Sequence, residues 1–488
     1  MMFVPAAEYR PDVADLNTAF TDDVLNVLVA DGSYIPAPGF AALTVALEAA
    51  PLGAVSVKQT DGSISFFAGT ATKLFKLNNT TLVWDDVSQA LTTYAATTTA
   101  PWSFGVFGNF VIAVNQNDDP QVLELGVDTV FRDLGGSPPR AGIVRIWGDF
   151  VALMRLTGNP NRVQWSGLNN CEFWTPGTNN SDYQDFPDGG IVQGSSEATN
   201  PIIFLESAIQ RATFVPGSLE IFTFQKIHDK RGAKSPYSIA TRGAFAFYAD
   251  EGGFFQISPD GSITPIGFEK VDRTVFKRLN VSSISKIYGA VDPFFSRVYW
   301  AIDYAGTGVY DHMLVYDWNI GKWTPIEVSV LFILPMVTSG YTLEGLDSVN
   351  SSLDALPFSL DSKAWQGGAP FLAGFSSDNK LGAFSGENLE AIITTQEMGD
   401  TSGQVVRTTS TNPIVDTDNV FVSIGHRMRR AAGIPVTWMN EQSPSYNTGL
   451  VRKRSRARYH RFKMRIPAAE TWNHIKGIDV ATAPAGLR

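Results

Sequence analysis

The chain has 488 residues, a net charge of −10 and 18% charged residues, and it is rich in glycine, proline and aromatic side chains. An intrinsically disordered chain would have fewer aromatic residues and more charge, so this composition indicates a turn-rich all-β protein with a large core. Cys171 is the only cysteine, which excludes a small scaffold held together by disulfides.

The first 40 residues are predicted to form a short N-terminal arm. Apolar residues recur within residues 13–29 with the spacing of one short helix. The N-terminus has no basic leader followed by an apolar run, and the longest apolar run, residues 328–337, is too short to cross a bilayer as a helix. We therefore expect a protein without a membrane-spanning segment that is synthesised in a reducing cytoplasm.

Short aromatic and β-branched runs separated by tight turns recur in the middle of the chain. Residues 107–111 and 147–151 match as an aromatic residue, Gly, Asn or Asp, Phe and Val, which is the best internal repeat. Residues 243–326 continue the pattern with Gly-Gly, Asp-Gly and Asn-x-Gly turns, which are typical of antiparallel hairpins. Each strand has about five residues, so roughly four strands fit in each 40 to 50 residues, as in a β-propeller blade.

The predicted architecture is therefore all-β, with a β-propeller of roughly six to eight blades in residues 41–398. Turn-rich loop insertions with few apolar residues are expected near residues 166–200 and 341–363, and residues 369–393 are predicted to form the last blade. Residues 399–488 are predicted to form a separate, basic C-terminal β-module.

Charge is distributed unevenly along the chain. Residues 424–488 contain 13 Lys and Arg against 3 Asp and Glu, a net charge of +10, whereas residues 1–423 contain 25 against 45, a net charge of −20. Residues 459–466 alternate as a half-buried strand that presents a row of cations on one face. This polarity predicts an acidic partner for the C-terminal module.

The candidate contact residues are eleven cations of this module. Eight of the 15 residues from 451 to 465 are basic and none is acidic. The cations are predicted either to neutralise phosphates of double-stranded DNA without reading its sequence, or to pack on the acidic body of the next subunit, where strand cations also prevent aggregation. The eleven residues are Arg427, Arg429, Arg430, Arg452, Lys453, Arg454, Arg456, Arg458, Arg461, Lys463 and Arg465.

The sequence contains no recognisable catalytic or metal-binding motif. Its five histidines are scattered without metal-ligand spacing, and it has no nucleophile elbow, P-loop or dinucleotide fingerprint. Asp118-Asp119 and Asp250-Glu251 are interpreted as turn residues rather than as the paired carboxylates of a glycosidase. Residues 258–265 are similar to one Asp-box turn of propeller-bearing sialidases but lack its closing aromatic residue. We expect no catalytic residue, no metal and no cofactor.

Several strand-and-turn phrases, spread over nearly the whole chain, point to one known family. They are residues 102–113, 163–174, 181–190, 232–239, 247–254, 314–323 and 456–462, followed by Trp472 and residues 477–480. On these phrases the chain resembles the tail-nozzle, or packaged-DNA stabilisation, proteins of short-tailed bacteriophages, which are also called tail hub proteins.

The resemblance implies a β-propeller subunit of a ring, usually six-fold. Portal and adaptor or head-completion proteins would lie above this ring, and tail fibre, spike or needle proteins at its distal end. Such a ring belongs to the virion, retains packaged double-stranded DNA and forms the conduit for its ejection; it has no catalytic residues. Two alternatives stay open: a propeller that binds or cleaves polysaccharide, and a sequence-nonspecific DNA-binding protein that acts through the cationic C-terminal module.

Overall fold

The structure is a computed structural model that describes residues 1–59, 62–218, 220–243, 245–279, 281–337, 352, 370–399, 404–431 and 434–486. Strands account for 50% of it and helices for 3%. The predicted all-β class is therefore confirmed.

Seven short strands occupy the first 42 residues. They are β1 (Met2–Pro5), β2 (Glu8–Tyr9), β3 (Phe20–Thr21), β4 (Val24–Leu25), β5 (Val27–Ala30), β6 (Ser33–Pro36) and β7 (Pro38–Ala42). The helix predicted within residues 13–29 is wrong, because β3, β4 and β5 lie there instead. β3 pairs with β2, β5 pairs with β6, and β4 pairs with the distant segment Ala391–Thr394, and such pairing overrides a weak local helix propensity.

Five consecutive antiparallel sheets then contain four strands each, in sequence order. We call them blades 1 to 5. Blade 1 consists of β8 (Ala54–Lys58), β9 (Ile64–Gly69), β10 (Leu74–Leu77) and β11 (Trp84–Asp86). Blade 2 consists of β12 (Ser103–Phe107), β13 (Phe110–Val114), β14 (Gln121–Glu124) and β15 (Arg132–Asp133). Blade 3 consists of β16 (Ala141–Trp147), β17 (Phe150–Leu156), β18 (Arg162–Trp165) and β19 (Asp182–Asp185).

The next two blades follow the same plan. Blade 4 consists of β20 (Val192–Ser195), β21 (Ile202–Leu205), β22 (Ile209–Phe214) and β23 (Phe222–His228). Blade 5 consists of β24 (Ala240–Arg242), β25 (Phe245–Asp250), β26 (Gly253–Ile257) and β27 (Ile263–Pro265), with a 3-10 turn (Pro236–Ser238) before it. The loop insertion predicted at residues 166–200 contains β19 and β20, so only part of that stretch is irregular.

The repeated sequence phrase is a hairpin of two neighbouring blades. Gly108 in blade 2 and Gly148 in blade 3 have φ angles of 58° and 61°, a conformation that favours glycine at the first position of a two-residue turn. The flanking residues pair directly, Phe107 with Phe110 in blade 2 and Trp147 with Phe150 in blade 3. The repeat therefore marks equivalent positions in successive blades.

One seven-stranded sheet supplies the last two blades. After α1 (Asp272–Arg278) and α2 (Val281–Ile284) come β28 (Tyr288–Val291), β29 (Arg297–Ile302), β30 (Tyr310–Asp317), β31 (Lys322–Val337), β32 (Pro370–Ser376) and β33 (Leu381–Asn388). The first half of β31 pairs with β30, and from Val330 onward it pairs with β32. Blade 6 is thus β28–β31, and blade 7 is the second half of β31 with β32, β33 and the N-terminal strand β7. The insertion predicted at residues 341–363 lies outside the described residues, apart from residue 352.

The seven blades form a closed ring. Each neighbouring pair shares a buried apolar cluster, and the cluster between blades 7 and 1 packs Phe332 and Phe375 against Phe66 and Phe75. Sheets packed face to face bury apolar side chains from both surfaces. The β-propeller predicted from the sequence is therefore present, with seven blades in the predicted range.

The C-terminal strands form a two-sheet sandwich with the N-terminal ones. They are β34 (Ala391–Thr394), β35 (Met398–Gly399), β36 (Val406–Val415), β37 (Phe421–Arg427), β38 (Thr437–Trp438), β39 (Ser455–Ala457), β40 (Tyr459–Ile466) and β41 (Ile475–Pro484). One sheet has the order β39-β36-β41-β6-β5 with β1 on β41, and the other β38-β37-β40-β34-β4 with β35 on β40. Both sheets contribute to one apolar core, so the two ends of the chain build this sandwich together.

Asn26 fastens the sandwich to blade 6. Its side chain donates a hydrogen bond to the backbone carbonyl of Glu390 and accepts one from the backbone N–H of Glu327. Its own N–H donates to the carbonyl of Pro325 in β31. Because Asn26 is only 5% exposed, these bonds replace water at a buried junction. The sandwich therefore sits against the side of the ring formed by blades 6 and 7.

Candidate functional site

Three of the eleven predicted contact residues lie on one face of β40, as the alternation of residues 459–466 predicted. We call Arg461, Lys463 and Arg465 the β40 row. All three form ion pairs with acidic residues of the same chain. The partners are Asp15 and Asp22 for Arg461, Asp23 for Lys463 at 3.0 Å, and Glu390 and Glu441 for Arg465 at 3.0 and 2.7 Å.

Arg461 is the most enclosed cation of this row. It is 8% exposed, and its Nη1 lies 3.3 Å from Oδ2 of Asp15, whose side chain is 11% exposed. It also donates to the hydroxyl of Thr21 and to the carbonyl of Thr395. Multiple hydrogen bonds to a buried guanidinium are needed to offset its desolvation. Arg461 is therefore a structural link between the N-terminal strands and β40.

Arg427 and Arg430 form a second internal group around Glu397. Two of the three guanidinium nitrogens of Arg427 donate hydrogen bonds to the two carboxylate oxygens of Glu397, which is 1% exposed. This pairing raises the pKa of Arg427. Arg430 lies 3.2 Å from Glu397 and 2.9 Å from Asp15. Bidentate arginine–carboxylate pairs are among the strongest charge-assisted hydrogen bonds. Five of the eleven cations are thus engaged within the chain.

The other six cations lie closer to solvent. Arg429 and four arginines of the segment before β40 are exposed, and Lys453 is half-buried. The four arginines alternate with less exposed residues, and Ser455 and Ala457 between them are buried. We call Arg452, Arg454, Arg456 and Arg458 the arginine edge, because they lie in or beside β39, which is the last strand of its sheet.

The arginine edge has few internal partners. Arg456 donates a hydrogen bond to the carbonyl of Ala485. Within the described parts of the chain, Arg452, Arg454 and Arg458 form no ion pair. The two cationic segments of the sequence therefore differ: the β40 row is neutralised internally, whereas the arginine edge carries positive charge on an open strand edge.

An open groove lies between the outer strands of blades 3 and 4. It has a volume of about 590 Å³. Aromatic rings form its inner wall, with ring centroids 5.2 Å apart for Trp165 and Phe222 and 5.5 Å apart for Phe186 and Phe224. Its lining residues are Trp165, Asp182, Tyr183, Gln184, Asp185, Phe186, Pro187, Asp188, Gln210, Glu220, Ile221, Phe222, Thr223, Phe224 and Lys226. We call it the acidic groove.

The charges of the groove are predominantly negative. Its lining contains four carboxylates and one cation, Lys226, which lies 3.5 Å from Asp188. Arg162, just behind the wall, donates two hydrogen bonds to Asp185 at 2.6 and 2.8 Å and lowers the pKa of that carboxyl. The same guanidinium stacks over the Tyr183 ring, 3.7 Å from its centroid. Glu220 is exposed and forms no ion pair with any described residue.

Gln210 lies in the depth of this groove. Its side chain is on the same face of β22 as Ala212, which packs between blades 3 and 4. Gln210 is 7% exposed, and its amide forms no hydrogen bond with the described residues. Because its amide lines the open groove and is not sealed from solvent, Gln210 can donate and accept hydrogen bonds with a polar ligand there.

The carboxylate pairs considered from the sequence have local roles. Asp118 accepts hydrogen bonds from the backbone of Ala95 and the side chain of Asn115, and Asp119 pairs with Arg140 at 2.7 Å. Asp250 lies at the end of β25 in blade 5, where burial raises its pKa. The pairs lie on different blades. In the described residues no group of three His, Cys, Asp or Glu side chains is placed to hold a metal ion.

The acidic groove was not predicted from the sequence, because its β19 side lies in residues 166–200, which were predicted to form a loop insertion. The alternation of Asp182, Gln184 and Phe186 in β19 and beyond, and of Phe222 and Phe224 in β23, is the signal that could have revealed it. Only the packing of two blades brings these strands to one groove.

No helix in the described parts of the chain is long and apolar enough to span a membrane. No protein-family model and no curated protein matches the sequence.

Solved structures give distant likenesses. One is titled "YCF48 bound to D1 peptide", with 12% identity, a TM-score of 0.36 and coverage of 60% of this chain and 86% of that chain. The computationally designed Ika8 protein has 8% identity and a TM-score of 0.38 over 78% of this chain and 99% of that one. The Mitotic Checkpoint Complex has 9% identity and a TM-score of 0.36 over 71% and 92%. These likenesses carry no argument about function.

Proposed function

We propose that this chain is a structural virion protein of a short-tailed bacteriophage, a subunit of the ring-shaped tail nozzle, or tail hub. The ring would lie below the portal and adaptor or head-completion proteins and would carry tail fibre, spike or needle proteins at its distal end. It would retain packaged DNA and form the conduit for DNA ejection. The chain would be made in the cytoplasm of the bacterial host and would act in the virion.

The observation that carries the proposal is the division of the basic segment. Its enclosed cations fasten the sandwich together, and its exposed cations form an open strand edge that is available to a neighbour. This arrangement suits a subunit that binds to other subunits. The body of the chain, residues 1–423, has a net charge of −20, and a conduit of like charge lets DNA slide without strong binding.

The arginine edge also favours a second candidate function, sequence-nonspecific DNA binding. Exposed arginines neutralise phosphates and release counterions, so this function predicts retention on DNA with a steep dependence on salt. The acidic body opposes it, since the same charge repels DNA outside the arginine edge. A DNA-binding protein of this kind would be retained on DNA as a monomer, without forming a ring.

Mass photometry and negative-stain imaging of the purified full-length chain test the proposal. We expect a ring of about six copies with a central hole, formed either alone or on addition of the adaptor protein of the same phage. A protein that stays monomeric with that adaptor and is retained on DNA supports the second candidate. A monomer that cleaves a bacterial polysaccharide contradicts both.

A further inference from the structure

We propose that the acidic groove between blades 3 and 4 binds the arginine edge of a second copy of this chain. The inference rests on the proposed function in one respect, because it names the surfaces through which subunits of the ring would meet. It identifies the partner by its chemistry, an arginine-rich strand edge of the same protein.

The chemistry of the groove fits a guanidinium group. Carboxylates accept its N–H donors in pairs, aromatic rings pack against its planar face, and an amide oxygen accepts a further hydrogen bond. The groove offers two of these: the carboxylate of Glu220, which forms no ion pair with a described residue, and the amide of Gln210, which forms no hydrogen bond with one.

The wall of the groove already contains an example of this contact within the chain. Arg162 pairs through two nitrogens with Asp185 and stacks on Tyr183 at the same time. A second arginine arriving from outside would meet Asp182 and Glu220, the two carboxylates of the lining that form no ion pair with a described residue.

The spacing of the two surfaces is compatible. Arg452 and Arg458 are six residues apart, and only Arg456 of the four arginines lies in β39, so the arginine edge extends over at most about 20 Å. The carboxylates from Asp182 to Asp188 span at most about the same length, because they are separated by the same number of residues. Several arginines can therefore contact several carboxylates in one docking.

The two surfaces lie on opposite sides of one subunit. In a closed ring of seven blades, the junction of blades 3 and 4 is opposite blade 7, and the sandwich that carries the arginine edge packs on blades 6 and 7 through β31. The contact is therefore made between copies rather than within one. Complementary patches on different sides of a subunit produce head-to-tail association, which closes into a ring when the rotation permits.

Other occupants of the groove fit less well. Asp182 and Glu220, which form no ion pair with a described residue, repel the phosphates of DNA. Trp165 and Phe222 are 3% and 5% exposed and pack edge-on against each other, so they present no open ring face of the kind on which a sugar stacks. A second copy supplies the missing positive charge.

Crosslinking between single-cysteine variants tests the contact in the full-length chain. Cys171, which is buried, is replaced by Ser in all variants. Glu220→Cys and Arg454→Cys proteins are mixed and treated with a short bismaleimide, and heterodimers are quantified by mass spectrometry. The matched control mixes Arg454→Cys with Leu91→Cys, because Leu91 is fully exposed in the connection between blades 1 and 2. Crosslinking also detects weak association, so the test does not require stable rings.

We expect the groove pair to crosslink about tenfold faster than the control pair, because the remaining arginines of the edge and the remaining carboxylates of the groove still hold the two cysteines close together. Raising the salt concentration should reduce this advantage. Equal crosslinking rates for the two pairs would overturn the proposal. A rate for the groove pair that does not fall when Asp182, another carboxylate of the groove, is replaced by Arg would overturn it as well.

Charge exchange provides the second readout. Glu220→Arg and Arg454→Glu should each reduce association about tenfold, and mixing the two variants should restore one contact between oppositely charged positions. The proposal is wrong if Arg454→Glu abolishes retention on DNA and the groove pair crosslinks no faster than the control pair. The arginine edge would then bind nucleic acid.

The outcomes separate this inference from the proposed function. Rings that form in the wild type and persist in both charge variants would contradict the groove contact but leave the nozzle proposal standing. Specific crosslinks in a protein that forms open filaments and never a ring with a central hole would support the contact and contradict the nozzle.

Discussion

The β40 row and the arginine edge are neighbours in sequence and follow the same pattern, yet the structure uses them in opposite ways. In both, basic residues stand at alternate positions of the sequence, but β40 contains all three cations of the row and β39 contains only Arg456 of the edge. The row faces acidic residues of the N-terminal segment and of the strands beside β40, and Arg461 is 8% exposed. The edge lies at the border of its sheet, and Arg452, Arg454, Arg456 and Arg458 are exposed.

The comparison shows that a run of cations does not identify a binding surface by itself. A buried cation loses its hydration and requires carboxylates and hydrogen bonds in return, whereas an exposed cation keeps its hydration and is available to a partner. The β40 row therefore contributes to the stability of the subunit, whereas the arginine edge is available for association with a partner. The predictions below test this difference.

The largest effect is expected for Arg461→Ala. Removing this guanidinium breaks a buried pair and leaves Asp15 with Arg430 as its remaining ion-pair partner, so the free energy of unfolding should fall by about 3 to 5 kcal/mol. Urea unfolding measures the loss, and hydrogen exchange of residues 459–466 locates it in the sandwich. Arg454→Ala is the matched control; a loss below about 1 kcal/mol for Arg461→Ala would show that the row is not structural.

The apolar side of the same strand should make the sandwich sensitive to acid. Burial, with the nearby His426, lowers the pKa of His460 from 6.5 to about 4, and its Nε2 has no hydrogen-bond partner. Between these pH values His460 binds a proton more strongly in the unfolded state than in the folded state. The contribution of neutral His460 to the free energy of unfolding is therefore complete above pH 6.5 and is lost as the pH falls toward 4. The expected loss is about 3 kcal/mol.

Replacing His460 by Met keeps a similar volume and removes this titration. Unfolding of both proteins at pH 4.5 and pH 7 measures the effect, and the difference between the two pH values should be smaller in the variant. An unchanged difference would assign the acid sensitivity to other groups.

A smaller effect is expected for Arg465→Met. The Arg465 side chain is 24% exposed and its partners Glu390 and Glu441 are 46% and 37% exposed, so solvent screens these pairs. The free energy of unfolding should fall by about 1 kcal/mol at low salt and by less in 0.5 M NaCl. A loss that does not depend on salt would indicate lost packing on Phe421 instead.

The smallest effect on stability is expected at the arginine edge. Arg452→Ala and Arg454→Ala should each change the free energy of unfolding by no more than about 0.5 kcal/mol. They should nevertheless lower the salt concentration at which the chain elutes from a cation exchanger. Lys463→Ala is the control, because its charge is paired with Asp23; an equal shift in elution would remove the distinction between the two segments.

Local features of the sequence predicted much of the fold. The Gly-Asn and Gly-Asp turns locate hairpins in blades 2 and 3, since a two-residue turn depends on a glycine at a positive φ angle. Residues 459–466 form β40 within the predicted bounds, and Phe462, Met464 and Ile466 face the core. Such features depend on neighbouring residues only.

Features that depend on distant residues were not predicted. The last blade was expected in residues 369–393, but β34 leaves it for the sandwich and β7, from the N-terminal end, completes it. The segment with helical spacing became strands because β4 pairs with β34. Strand pairing satisfies backbone hydrogen bonds and buries side chains, and it outweighs the small local preference.

The sequence by itself determined the all-β class, the turns, and the alternation that puts the cations of β40 on one face. Only the tertiary structure decided that Arg461 meets Asp22, 439 residues away, that Arg452, Arg454 and Arg458 form no ion pair with a described residue, and that two blades form the acidic groove. The periodicity of a strand fixes where a side chain points. The partner it finds depends on which distant segments the fold brings there, and this partner determines whether the charge stabilises the subunit or is available to bind another molecule.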